Sequence, residues 1–270
     1  AISKPSVVVS IPPQKAFVQA IAGDEVDIHV LLKPGQNPAN FTLSPKILGE
    51  IARSDLYFAI GVPMEEMILP KLQAIYPNIR IVDTTAGIRK RTLEDHSHGQ
   101  NDSSQAHRHV DDPHIWLSPG LVKIQLRHYT RILKDLLPDS APLFDVHAKR
   151  FLDEVEKLDD QLAIRLKGLE GKTVFVYHPA FGYFLDRYGL RQETVELQGK
   201  QPSPRQLRHL IHLAQDQGAK VIFVQPQFDR NSAKTLAKAI DGRVEVMDPL
   251  AENYLDNLRH MGETIAESYR

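Results

Sequence analysis

The chain has 270 residues and 30.5 kDa, enough for one large domain or two moderate ones that each bury a core. Its 42% hydrophobic and 25% charged residues exclude disorder and fibrous repeats, and 33 basic against 34 acidic side chains leave no positive field to attract a nucleic acid. With no cysteine, disulfides, thiolate metal sites and cysteine nucleophiles drop out together, so any metal must be held by nitrogen and oxygen.

Short β-rich runs alternate with longer helical patterns, which predicts α/β units around parallel sheets. In the first half, strands are expected near residues 6–10, 26–32, 55–60 and 80–83, with helices near 14–22, 45–53 and 64–75. The stretch 94–112 follows, almost free of apolar residues and carrying His96, His98, His107 and His109. Such a composition cannot offset its ordering entropy by burial, and histidine-rich tracts of this kind read either as metal-interacting loops or as solvated polar insertions. Next comes Asp112-Pro113-His114-Ile115-Trp116-Leu117-Ser118-Pro119, which places one histidine between a proline turn and a helix starting at Ser118 with Pro119 in its first turn.

From 140 to 169, Phe151, Val155, Leu158, Leu162, Leu166 and Leu169 recur at steps of four and three, marking one face of a helix about 40 Å long. It either joins two lobes stiffly or is a core helix of one of them. The alternation then resumes, with strands expected near 173–177, 192–196, 220–224 and 245–247 and helices near 181–187, 204–217, 231–240 and 250–269. The expected architecture is α/β: two lobes, each a four-stranded, mainly parallel sheet flanked by helices, divided as 1–139, a linking helix 140–169 and 170–270. The apolar runs, such as 7–9 and 221–224, are strand-sized and far short of the ~20 residues of a membrane-spanning helix.

Three predicted strands of the second lobe end in a polar residue followed by proline: His178-Pro179, Gln225-Pro226 and Asp248-Pro249. Open α/β sheets bind ligands outside the carboxyl ends of their strands, so these are functional addresses, although each residue taken singly also suits a turn or a helix cap. Two histidines and a carboxylate suit zinc and tolerate manganese or iron. Three ligands with an open position also describe a hydrolytic zinc site, but no His-Glu-x-x-His occurs and no carboxylate stands out as general base. Gly168-Leu-Glu-Gly171-Lys172-Thr173 has the wrong spacing for a phosphate loop, and no Gly-x-Ser-x-Gly elbow is present.

Taken in order, Leu31–Ser44 (LLKPGQNPANFTLS), the strand and turn 55–61 with Glu65, the His-rich stretch, 112–119, 177–184 (YHPAFGYF), 203–207, 221–228 (VIFVQPQF) and 247–250 resemble the periplasmic metal-binding proteins of bacterial ABC importers, in the zinc- and manganese-specific group related to the high-affinity zinc uptake protein. The resemblance covers essentially the whole chain. It implies two α/β lobes bridged by a long helix, zinc (less readily manganese) as cargo in the cleft between them, delivery to an ABC permease, residence in the periplasm after removal of a signal, and a monomer without enzymatic activity.

The residues it carries over as ligands are His114, His178 and Asp248. Two positions depart from the family pattern: the first-lobe histidine after Gly-x-x-Pro is Ala39, followed by Asn40, and a position often held by glutamate in manganese-binding members is Gln225. The missing ligand is then expected from water, Asn40, Gln225 or a histidine of the loop, His107 or His109; deletion of 94–109 tests the last of these. The neutral Gln225 favours zinc over manganese. Because histidine coordinates only when neutral, acid is expected to release the ion. A metallohydrolase using the same three residues, or a receptor for manganese or another divalent ion, is the alternative.

Overall fold

A computed structural model describes residues 4–93, 110–196 and 199–269. By contacts the chain forms two compact units: unit 1 comprises 1–88, 118–161 and 250–259, and unit 2 comprises 89–117, 162–249 and 260–270. Both units are discontinuous in sequence, so they rest on a different basis from a linear division at 139 and 170.

Unit 1 holds a sheet of order β2-β1-β3-β4, built from β1 (Ser6–Val9), β2 (Asp27–Val30), β3 (Leu56–Ala59) and β4 (Arg80–Asp83), and every pairing is parallel. The central β3 is buried along its whole length whereas the edge strand β2 alternates between exposed and half-buried, as expected of a sheet covered on both faces at its centre. Its helices are α1 (Pro12–Ala22), α2 (Pro45–Ala52), α3 (Met64–Ile75), α4 (Pro119–Leu136) and most of α5 (Ala141–Arg165). Helix α1 starts two residues earlier than expected because Pro12 and Pro13 fill its first turn, where a missing N–H costs nothing. Phe17 on α1 gathers the aromatic core, 4.8 Å from Tyr254, 5.9 Å from Tyr129 and 6.2 Å from Phe151 between ring centroids.

Unit 2 repeats the plan. Its sheet has the order β6-β5-β7-β8, from β5 (Thr173–Val176), β6 (Arg191–Thr194), β7 (Val221–Val224) and β8 (Arg243–Val246), again parallel throughout. Helices α6 (Gly182–Arg187), α7 (Pro204–Asp216) and α8 (Asn231–Ala239) follow the strands, and α9 (Tyr254–Glu267) closes the chain. A capping box starts α7: Ser203 Oγ accepts from Gln206 N, and the Gln206 side chain accepts from Ser203 N at 2.8 Å. The core joins Phe175, Ile222 and Val224 of the sheet to Leu210 and Ala214 of α7 and Leu236 of α8.

The long helix expected at 140–169 is α5, 25 residues and about 37 Å, with residues 141–161 in unit 1 and 162–165 in unit 2. Phe151, Val155, Leu158 and Leu162 form its buried face. Leu166 and Leu169 lie beyond its end, where the chain turns at Gly168 (φ +87°). Helix α9 starts at Tyr254 instead of 250, after a turn in which Tyr254 N–H donates to Glu252 O.

Candidate metal centre

In unit 2 the strand order reverses between β5 and β7, and a parallel sheet opens a binding crevice at the carboxyl ends beside such a reversal. Val176, the last residue of β5, lies opposite Thr194 of β6 and Phe223 of β7. The same register carried two residues further brings His178 level with Glu196 and Gln225. Gln225 is fully buried and grips the His178 backbone from both sides: its Nε2 donates to His178 O at 2.7 Å, and its Oε1 accepts from His178 N at 3.2 Å. Glu196, only 4% exposed, accepts from the imidazole, with Oε1 2.5 Å from His178 Nδ1.

His114 has the same support from its own loop. Asp112 is wholly buried, and its Oδ1 accepts from both His114 Nδ1 (2.7 Å) and His114 N (3.0 Å), while its Oδ2 accepts from Arg91 Nη1 (3.1 Å). Burial alone would raise the Asp112 pKa; the bonds and charge of His114, with the Arg91 bond, outweigh it and hold the carboxyl below its ordinary value. Arg91 is fixed in turn by Asp186 at 3.0 Å, and its backbone N–H donates to the Tyr183 hydroxyl, which donates to Asp112 O. A Cβ on Gly182 would stand 1.8 Å from Arg91 Nη1, so only glycine leaves room for this guanidinium.

An ionised carboxylate can only accept, so each Nδ1 carries a proton, and in the neutral form of either imidazole the nitrogen left with a lone pair is Nε2. Among the described residues neither Nε2 has a hydrogen-bond partner. The two rings stand 5.8 Å apart between centroids, at 77° to each other. Phe228 stacks on His178 at 4.9 Å and Trp116 flanks His114 at 5.3 Å, giving the pair an aromatic wall. Carboxylate-backed histidines with a free Nε2 are the usual form of zinc-ligating imidazole, because the outer carboxylate fixes the tautomer and raises the basicity of the donor.

Of the other expected ligands, Asp248 is half-buried just past β8, and its Oδ1 accepts from Gln227 Nε2 at 3.2 Å. Among the described residues no three His, Asp or Glu side chains form a group placed to hold an ion, so the structure brings His114 and His178 together without gathering Asp248 to them. Gln225 serves as a backbone clamp, both of its amide atoms being engaged. Asn40 is exposed in a one-turn 3-10 helix of unit 1, as is Ala39, whose N–H donates to Asn37 Oδ1. His96, His98, His107 and His109 lie outside the described residues. Glu196 is the residue that reading the sequence missed. Its signal was its position two residues past the end of β6, but which strand end it faces is a matter of register, which the sequence does not display.

Two α/β units, each with a four-stranded parallel sheet, together with a carboxylate-backed histidine pair, suit the class of metal-binding solute receptors. Residues 7–268 match the family model described as zinc-uptake complex component A periplasmic, ZnuA, and the chain belongs to this family. It is 27% identical over 263 residues to a zinc-binding protein AdcA of Streptococcus pyogenes, covering 93% of this chain and 51% of the relative, so it spans about half the length of that protein. It is 27% identical over 269 residues to the high-affinity zinc uptake system protein ZnuA of Yersinia pestis, covering 92% and 84%. Among solved structures, a crystal structure of ZnuA superposes with a TM-score of 0.90 at 32% identity, covering 99% of this chain and all of the other. A zinc-bound deletion mutant of ZnuA gives 0.88 at 32% identity, with 98% of both chains covered.

Proposed function

We propose that this chain is an extracytoplasmic zinc receptor that captures the ion through His114 and His178 and delivers it, as a monomer and without covalent chemistry, to the permease of an ABC importer. The observation that carries this reading is the pair of adjacent imidazoles, each with Nδ1 bound to a buried carboxylate and Nε2 left for a metal. Family membership and the zinc named in the relatives' descriptions support the cargo and the periplasmic setting. Among the described residues no helix is long and apolar enough to cross a membrane, which accords with transport depending on a separate permease.

Asp248 supplies the carboxylate of the ligand set, turned onto zinc from its contact with Gln227. Two nitrogens and one oxygen favour zinc over the harder manganese ion, which prefers oxygen donors. Gln225 adds no charge to the set and keeps His178 in place. The reading leaves the three-ligand hydrolase without a role, since both buried carboxylates beside the histidines are committed to Nδ1 and neither is positioned as a base for a metal-bound water.

Calorimetric titration of the chelator-stripped chain with zinc and then manganese, run beside His114→Ala/His178→Ala, tests this. Tight zinc binding that the double substitution abolishes is expected, with manganese bound more weakly. Equal zinc binding by the parent and the double variant would overturn the assignment.

A further inference from the structure

We infer that Trp116 is a positioning residue for Asp248: its indole N–H locks the Asp248-Pro249 turn to the segment that carries His114, so the carboxylate and the imidazole are held by one side chain. The inference rests on the zinc reading above. Trp116 is 1% exposed, and its Nε1 donates to Pro249 O at 2.7 Å across 133 residues of sequence. Its ring lies 5.3 Å from that of His114, two residues earlier in the chain.

On the other side of Asp248, Met247 N–H donates to Val224 O at 3.0 Å as the last bond between β8 and β7. The backbone of Asp248 is therefore bracketed by a sheet bond before it and the indole bond after it. Proline at 249 fixes one further torsion and, lacking an N–H, offers only its carbonyl, which is the atom the indole takes. Of the aromatic residues only tryptophan carries a ring N–H that donates and does not accept, so phenylalanine keeps an aromatic wall beside His114 while deleting the lock.

The test is a double-mutant cycle read by zinc affinity, with Trp116→Phe placed in the parent chain and in Asp248→Ala. In the parent background Trp116→Phe is expected to weaken zinc binding about ten-fold, in the range typical of residues that orient metal ligands. On Asp248→Ala it is expected to change nothing further. Parent-like affinity of Trp116→Phe, or an equal loss in both backgrounds, would overturn the inference, the second because a general loss of packing does not depend on Asp248.

His178→Ala serves as the separate control. If it left zinc binding intact, the zinc reading itself would fall and the inference with it, whereas loss of binding in His178→Ala together with an inert Trp116→Phe removes the inference alone. Should Trp116→Phe fail to fold, the unaltered chain still decides. It has a single tryptophan and therefore one indole N–H resonance, expected to be protected from solvent exchange and to shift when zinc saturates the site. A resonance that exchanges freely, or stays in place at saturating zinc, would count against the lock.

Discussion

The carboxyl ends of the two sheets occupy equivalent positions and put their buried carboxylates to opposite uses. In unit 1, Glu65 is 3% exposed and spends both oxygens on internal donors: Ser10 Oγ at 2.5 Å, Ile60 N at 2.9 Å and Gly61 N at 2.8 Å. Ser10 Oγ is shared with the Tyr57 hydroxyl, so this end of the sheet is closed by its own hydrogen bonds. In unit 2, Glu196 is as deeply buried but spends an oxygen on the His178 ring, whose opposite nitrogen stays available. The carboxyl end of a sheet thus makes a structural knot in one unit, from a helix residue after the inner strand β3, and a support for an imidazole in the other, from a residue after the edge strand β6. The difference lies in what stands beside the carboxylate, two backbone amides and a hydroxyl or an imidazole.

The largest expected effect that separates the two is on zinc affinity. Glu196→Gln should weaken binding about 10–100-fold, as loss of a carboxylate behind a ligating histidine does, with little change in thermal stability because the amide oxygen can still accept from Nδ1. Calorimetry and a melting curve on the same sample measure both. Unchanged affinity would mean that the negative charge of Glu196 does not strengthen the His178 donor.

A second substitution probes the knot. Ser10→Ala removes a donor from the buried Glu65 and should cost about 1–3 kcal/mol, lowering the melting temperature by several degrees while leaving zinc affinity at the parent value. A drop in zinc affinity comparable to that of Glu196→Gln would erase the distinction between the two sheet ends.

The smallest effect is in the pH dependence of stability, where the two units should slope in opposite senses. Burial, the largest influence on Glu65, raises its pKa above the ordinary 4.5, more than its bonds to Ser10, Ile60 and Gly61 lower it. Its contribution to stability is therefore complete below 4.5 and lost as pH rises through the folded-state value. Asp112 in unit 2 is held below its ordinary 3.8, so its contribution is complete above 3.8 and lost as pH falls through the lowered value. Melting temperatures from acid to neutral pH should show Glu65→Gln removing a loss on the rising side and Asp112→Asn removing one on the acid side. Parallel curves for the two variants would contradict these assignments.

Much of this was legible along the chain. Buried strands announced themselves as apolar runs such as Val221–Val224, and helix starts by Pro45 and Pro119, whereas the start of α1 at Pro12 was placed two residues too late. His114, His178 and Asp248 drew notice because proline beside a polar residue at a strand end or helix entrance is a local pattern. Gln225 was noticed for the same reason and read as a possible ligand, since its sequence context does not reveal that both amide atoms are taken by a neighbouring backbone.

What the sequence determined by itself was whatever depends on near neighbours: the order of strands and helices, the parallel α/β class, the nitrogen-and-oxygen chemistry left by the absence of cysteine, and the addresses of the two histidines. What only the tertiary structure decided was every pairing across distant segments. Glu196 faces His178 because β5 and β6 align in one register among several that their apolar patterns permit, and Trp116 reaches Pro249 across 133 residues. Hydrogen-bond direction, and with it the tautomer that frees each Nε2, follows from those meetings. It is a property of two groups brought to within 3 Å and has no trace in the residues that precede or follow either one.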